Sequence, residues 1–453
     1  MPHLAYIFER FPSFTQTFCV REVMELERLG VRPVLFSIHD TREESIRHFP
    51  PELFQRVHFL PPPDQLVKEV RHWISENRLP QSVVLTLRMW GDLPDKNRVY
   101  EAAWIGYKLK SLGPEVKHVH AHFAGMGARA CWWLRKFFGL SYSFTVHAND
   151  FFCTAEAQTP ELPTLFRDAS LVVTVSDFMV GCLGKSFPQA SARMRRVYNG
   201  LDLSPFMEAR AKANRSRAAG RILSVGRLIQ KKGFDDLISA CALLRDRGAR
   251  FHCDIVGEGP LEGELRAQIA QLGLENEVTL AGARSMAEIV RMLAEETQIF
   301  ALACKTEEDG GKDNLPTVLM EAMATSLPCV STRLAGVPEM VQHGVTGLLG
   351  EEGQPMEFAS LLAQLLQDPV RGESMGRAGL ERAKSLFDQR ITARRLVRAF
   401  AESSGIRFTW PLAMKLRLAG AFLKRTVTRR PELQHKTVKA RDKTFDLRQF
   451  IAG

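Results

Sequence analysis

Short runs of branched and aromatic residues alternate along the chain with longer stretches whose apolar positions recur every three to four residues. The short runs predict strands at Leu4–Phe8, Val34–Ile38, Val57–Leu60, Val116–Val119, Tyr142–Val146 and Leu171–Val175. In the second half they predict strands at Arg221–Val225, His252–Val256, Val278–Leu280, Ile299–Ala303, Cys329–Ser331 and Gly347–Leu349. The longer stretches predict helices. After Gly233, for example, Phe234, Leu237, Ile238 and Cys241 fall at i, i+3, i+4 and i+7, with Leu244 on the same apolar face. Strands alternating with helices build parallel sheets from βαβ units, so the expected fold class is α/β, with two such domains in tandem. The polar, basic, alanine-rich run Glu208–Gly220 carries no strand pattern and is expected to be a linker, 208–220. It separates a first domain, 1–207, from a second, 221–385; each half of the chain has about 200 residues, enough for its own core. A helix is expected over 386–404, returning to the first domain, followed by a basic tail, 405–453.

Composition agrees with this picture. The 453 residues are 45% hydrophobic and 25% charged, which excludes a disordered chain. No uninterrupted apolar run reaches the ~18 residues of a membrane span. The opening MPHLAYIFERFPSF lacks the basic start and apolar stretch of a signal peptide, so the expected location is cytoplasmic. Eight cysteines with no C-x-x-C pair read as reduced, buried thiols. The net charge of +10 is concentrated at one end: the tail holds twelve Lys or Arg against Glu432, Asp442 and Asp446, and so carries nine of the ten charges. The body is therefore not a nucleic-acid protein by charge. In the tail, Trp410, Leu412, Met414, Leu416 and Leu418 are interleaved with Lys415 and Arg417. That mixture suits a helix lying on an anionic membrane surface, or equally a helix packed on the body.

Ligands of open parallel sheets bind beyond the carboxyl ends of the strands, so chemistry is to be sought there. Arg221–Val225 is followed by Gly226-Arg227-Leu228-Ile229-Gln230-Lys231-Lys232-Gly233. Arg227 and Lys232 place two cations on a loop that opens onto a helix N-terminus, an environment suited to a diphosphate. His252–Val256 ends in Gly257-Glu258-Gly259-Pro260, where glycines let the backbone approach a flat ligand. After Ile299–Ala303 comes EEDGGKDNLPTVLMEAMA, Glu307–Ala324. Asn314 is expected to cap a helix with Pro316 in its first turn. The free amides near Leu315–Val318 would meet a phosphate. Glu321, about 7 Å along at ~1.5 Å per residue, would meet ribose hydroxyls. Asp313 stands where a sugar beyond the diphosphate is gripped.

On the first-half side, His147 follows the strand ending at Val146, and Asp150, three residues on, is placed to orient its ring. His120 and His122 follow the strand ending at Val119, one expected toward the cleft and one toward the core; a zinc pair would lack a third ligand nearby. Ser13, Thr15, Gln16 and Thr17 follow the first strand and would contact an acceptor or a phosphate, or equally form a plain strand-to-helix loop. No D-x-D triplet occurs, so no metal is expected on the diphosphate. No G-x-G-x-x-G follows the first strand of either half, which argues against a nicotinamide oxidoreductase.

Taken in order, G-R-L-x-x-x-K-G, V-G-E-G-P-L, the acidic-x7-E stretch ending at Glu321 and A-G-V-P-E-M-V resemble the retaining GT-B glycosyltransferases, which use nucleotide sugars. F-P-S-F-T-Q-T-F, V-H-A-H-F-A-G, F-T-V-H-A-N-D and N-L-P-T-V-L-M-E-A-M-A resemble more narrowly the bacterial exopolysaccharide transferases of the colanic-acid and amylovoran type. The resemblance covers about residues 1–400 and implies a GT-B fold, two Rossmann-like domains facing across a cleft. It implies that Arg227 and Lys232 hold the diphosphate and Glu321 the ribose, with Gly257, Glu258, Leu315, Pro316 and Thr317 lining the donor site. It implies that His147 lies near the donor sugar, with Thr15, Gln16, His122 and Asp150 on the acceptor side. Asp313 departs from the glutamate usual at that position. The implied reaction is retaining and metal-independent, by front-side attack with the departing phosphate taking the acceptor's proton. The donor would be a nucleotide sugar, a UDP-sugar favoured. The acceptor would be a glycan or a polyprenyl-linked oligosaccharide. A nucleotide-sugar epimerase on the same fold and a non-catalytic nucleotide-sugar-binding protein stay open as alternatives.

Overall fold

The computed structural model describes residues 4–89, 95–113, 116–152, 162–213 and 218–406. Cys153, the middle of the expected linker and the tail from 407 onward, with its membrane reading, lie outside the described residues. The first half forms a parallel sheet of β1 (Leu4–Arg10), β2 (Val34–His39), β3 (Val57–Phe59), β4 (His118–His122), β5 (Ser141–Val146), β6 (Leu171–Thr174) and β7 (Met194–Arg196). Its spatial order is β3-β2-β1-β4-β5-β6-β7. The second half forms a parallel sheet of β8 (Arg221–Val225), β9 (His252–Val256), β10 (Val278–Gly282), β11 (Ile299–Leu302), β12 (Cys329–Thr332) and β13 (Gly347–Gly350), ordered β10-β9-β8-β11-β12-β13. All twelve expected strands are present. In each sheet the winding reverses beside the first strand, between β1 and β4 and between β8 and β11, so the open crevices lie at those carboxyl ends. The helices that frame them are α1 (Thr17–Arg28), α2 (Asp177–Ser186), α3 (Ser204–Lys212), α4 (Phe234–Asp246), α5 (Thr317–Ala324), α6 (Val337–Met340) and α7 (Gln389–Ser404).

The strands are central and apolar because helices cover both faces. Ala5, Ile7 and Phe36 are wholly buried in the first sheet, as are Phe300, Ala301 and Leu302 in the second. The amphipathic face expected after Gly233 is the buried face of α4. No helix among the described residues is long and apolar enough to cross a membrane. The described cysteines are free, and all but Cys182 are buried.

Three expectations are corrected here. β7, of sequence Met-Arg-Arg, was not anticipated; it is short and basic, as edge strands often are. The linker is partly helical, because α3 runs through residue 212. β4 begins two residues later than expected and contains its histidines rather than preceding them. His118, His120 and His122 alternate along β4 and therefore share one face, all buried, rather than dividing between cleft and core. Hydroxyls on β5 make this tolerable. His118 bonds Ser141 and Ser143 at 2.8 and 2.6 Å, and His120 bonds Ser143 and Thr145 at 2.7 and 3.1 Å.

The halves meet through polar and apolar contacts. Tyr198, Leu201, Leu203 and Phe206 are buried in the core of the second half. α7 turns back to pack on α1, with Phe400 4.9 Å from the His120 ring and 6.3 Å from Tyr6. The open N-terminus of α2 is closed from the other half: Glu339 on α6 accepts the main-chain N–H groups of Asp177 and Phe178, both at 2.8 Å, and the Tyr198 hydroxyl at 2.9 Å. A carboxylate there satisfies orphan donors and meets the positive end of the helix dipole. Glu339→Ala should lower the unfolding free energy by about 2 kcal/mol, read from the denaturant midpoint. An unchanged midpoint would mean that the two halves are held by their apolar contacts alone.

Candidate active site

The loop after β8 and the loop after β9 are fastened to each other. Gly226 N–H donates to Val256 O at 3.0 Å, Leu228 N–H to Glu258 O at 2.9 Å and Leu261 N–H to Leu228 O at 3.2 Å. Gly257 has φ +145°, and a Cβ there would sit 1.9 Å from the Gly226 carbonyl oxygen. Gly233 has φ +62°, and a Cβ there would sit 1.7 Å from Ala303 O, on the chain leaving β11. These glycines let three strand-end loops converge without side chains between them. Glu258 and Arg227 are exposed on that surface, and Arg227 makes no ion pair among the described residues. Lys232 is half-buried and its ammonium pairs with Asp313, on the loop after β11. Burial opposes its charge, yet the carboxylate of Asp313 holds its pKa above the usual lysine value. The residues expected on the diphosphate and on the sugar thus meet in one ion pair.

α5 starts at Thr317, with Pro316 as its N-cap. Asn314 is not the cap, which corrects the expectation. Proline disfavours a helical conformation in the residue before it, so Leu315 stays outside and the helix begins later. Asn314 instead accepts the Ser176 hydroxyl at 2.8 Å, a bond between the halves. Leu315 and Pro316 are buried, and Thr317 half-buried, around the helix tip. Glu321 is 8% exposed. Burial raises its pKa to about 6, against the opposing pull of Arg21 and Lys232.

Arg21 comes from α1, in the first half. Its guanidinium donates to Thr17 Oγ1 at 3.1 Å, its Nε has no partner, and its charge acts on Glu321. Phe18, on the same helix, lies with its ring 4.8 Å from that of His147. α1 therefore connects Glu321 with His147, the histidine after β5. Sequence reasoning missed Arg21, Phe18 and Glu22. The available signal was position: all three lie in the first turns of the helix that follows β1, beside the point where the winding reverses.

Around His147 the expected partners change places. Asp150 Oδ2 accepts the His147 main-chain N–H at 2.8 Å, whereas the ring meets His122, Nε2 to Nδ1, at 3.2 Å. Asp150 thus fixes the loop and His122 fixes the imidazole. His122 is 2% exposed, and its Nε2 lies 3.1 Å from Glu22 Oε1. It is thus enclosed between Glu22 and His147. Glu22 also supplies the third group beside His120 and His122 that the sequence seemed to lack, within 4.8 Å. Each ring nitrogen of that pair nevertheless already has a hydrogen-bond partner. Thr15 is exposed and Gln16 half-buried on a short 3-10 turn ahead of α1, with Ser13 and Thr15 hydroxyls 3.0 Å apart.

The model of the family described as glycosyl transferases group 1 matches residues 206–382, the stretch that carries these loops. Residues 206–382 are thus similar to the group 1 glycosyl transferases. The chain is 40% identical over 176 residues to the amylovoran biosynthesis glycosyltransferase AmsK of Erwinia amylovora, covering 39% of this chain and 43% of that one. It is 34% identical over 240 residues to the putative colanic acid biosynthesis glycosyltransferase WcaL of Escherichia coli K12, covering 52% and 58%. It is 31% identical over 222 residues to a GDP-mannose-dependent α-(1-6)-phosphatidylinositol monomannoside mannosyltransferase of Mycobacterium tuberculosis, covering 47% and 57%. The chain spans about half the length of the curated relatives it matches. The fold of Anabaena Alr3699/HepE, solved in complex with UDP, superposes with a TM-score of 0.62 over 89% of this chain and 100% of that one, at 19% identity. The domain after residue 206 and the sheet before it thus have the GT-B architecture.

Within this domain Gly233 is the tightest backbone approach. Gly233→Ala should lower stability by about 3 kcal/mol or more, measured by chemical denaturation, because the left-handed backbone and the Ala303 carbonyl both oppose a Cβ. A loss under about 1 kcal/mol would mean that the loops do not converge there as described.

Proposed function

We propose that the protein transfers a glycosyl group from a nucleotide sugar to a hydroxyl of a glycan or lipid-linked oligosaccharide in bacterial surface polysaccharide assembly, with retention and without a metal. The observation that carries this reading is the convergence at the carboxyl ends of β8 and β11. There Arg227, Lys232 and the N-terminus of α5 offer positive charge, and a buried carboxylate, Glu321, lies along the same helix. The cations and amides are the donor set for a diphosphate leaving group, whose growing charge they would stabilise in place of a metal ion. Glu321 would accept hydrogen bonds from the ribose hydroxyls. Asp313 would bind the donor sugar once the diphosphate takes over Lys232. His147, across the cleft, would face that sugar. The acceptor hydroxyl would attack from the same face, its proton passing to the departing phosphate. A uridine donor is favoured by the resemblance, whereas the mycobacterial relative is named for GDP-mannose, so both bases enter the test.

Thermal shift of the full chain with UDP-glucose, UDP-galactose, UDP-N-acetylglucosamine, GDP-mannose, UDP and GDP tests the reading. A cognate nucleotide at 100 times its dissociation constant should add about 2.7 kcal/mol, and Glu321→Ala should abolish the shift. No shift with any of them would contradict a nucleotide-sugar enzyme; a shift with no release of sugar would leave a binding protein. The raised pKa of Glu321 adds a pH dependence. Ribose hydroxyls bond the ionised carboxylate, and the proton competes below about pH 6. Affinity should therefore fall roughly tenfold from pH 7 to pH 5 by calorimetry, and Glu321→Gln should flatten that profile.

A further inference from the structure

His147 is held by an ordered series of buried groups that none of the roles above uses. Glu22 Oε1 accepts the Tyr6 hydroxyl at 2.6 Å and faces His122 Nε2 at 3.1 Å. Burial and the neighbouring Glu22 keep Tyr6 protonated, so its hydroxyl is the donor in the first contact. A carboxylate has no proton to give, so in the second contact the proton lies on His122 Nε2. His122 Nδ1 then faces His147 Nε2 at 3.2 Å. Burial alone would depress the His122 ring, but neighbouring groups hold its pKa well above the ordinary value. Those neighbours are Cys19 and then Glu22, whose carboxylate lies 3.1 Å from His122 Nε2. His122 is accordingly an imidazolium with a proton on each nitrogen. His147 is pushed down, first by burial and then by the charge of His122, and stays neutral. A neutral imidazole that accepts at Nε2 carries its proton on Nδ1. Nδ1 has no partner among the described residues. Phe18 and Phe123, with ring centres 4.8 and 4.5 Å away, wall the ring on two sides.

We propose that Glu22 and His122 are positioning residues that lock His147 in one ring orientation and one tautomer, with Nε2 turned inward as an acceptor and Nδ1–H left for the substrate. His147 then acts as a neutral hydrogen-bond donor toward the sugar rather than as a base, a role that rests on the glycosyl-transfer reading. The tautomer itself does not depend on it.

Long-range proton–nitrogen correlation spectra of the full chain labelled with ¹⁵N-histidine read the ring directly, the His147 signals being assigned by their loss in His147→Ala. The proposal expects one His147 tautomer, protonated at Nδ1. Glu22→Gln should mix the tautomers while the circular dichroism spectrum and melting temperature hold. His122→Gln provides the same reading if Glu22→Gln fails to fold. In parallel, the release of UDP from UDP-glucose and of GDP from GDP-mannose gives kcat and KM. Glu22→Gln should lower kcat about 10- to 100-fold with KM nearly constant, as loss of outer partners does at other functional histidines, and should add nothing once His147 is alanine. A wild-type ring protonated at Nε2, or a His147 signal unchanged in both variants, would overturn the proposal. Absence of wild-type turnover with the expected ring signals would instead sink the transfer reading and leave the positioning intact.

Discussion

Both sheets open onto one cleft because a carboxylate from the second half closes the first turn of a helix in the first. Glu339 gives its two oxygens to the amides of Asp177 and Phe178 and to the Tyr198 hydroxyl. Beside it, Ser176 reaches Asn314. These bonds are directional, whereas the apolar contact around Leu201 and Phe206 is not, so they set the angle at which the halves meet. Arg21 of α1 comes to act on Glu321 only because that angle is kept. The same region includes the chain crossing at residues 387–389, where Leu201 exchanges main-chain hydrogen bonds with Phe387 and Gln389 before α7 returns to the first half.

Within this frame the electrostatics divide cleanly. The second half supplies charged groups on glycine-fastened loops: an exposed Arg227, and a half-buried Lys232 paired with Asp313. The first half supplies a hydrogen-bonded network of histidines, hydroxyls and Glu22 that leaves His147 Nδ1 as its open end. Such a network is costly if any member is unpaired and correspondingly specific when all are paired. A diphosphate site suits the first arrangement because the ligand brings its own charge. A histidine that must present a single nitrogen suits the second.

Much of this was legible in the amino-acid order. The strands follow from apolar runs, and the convergence of Arg227, Lys232, Asp313 and Glu321 follows from their places after strands of a parallel sheet. What was not legible had physical causes. β7 is three residues with two arginines, too short and too polar to register as a strand. His120 and His122 read as loop residues because the hydroxyls that satisfy β4 lie on β5, more than twenty residues away. Asp150 stood three residues from His147 and was read as its ring partner, yet that spacing reaches the main chain instead. Arg21, Glu22 and Glu339 act across the chain on residues 100 or more positions distant, a separation at which local pattern carries no information.

The central claim is that one donor site is built from the loops after β8, β9 and β11. Hydrogen–deuterium exchange of the full chain, with and without saturating UDP-glucose or GDP-mannose, tests it most directly. The account predicts slowed exchange over residues 226–233, 257–260 and 314–321 with one of the two donors. Protection confined to other segments, or none with either donor, would contradict it.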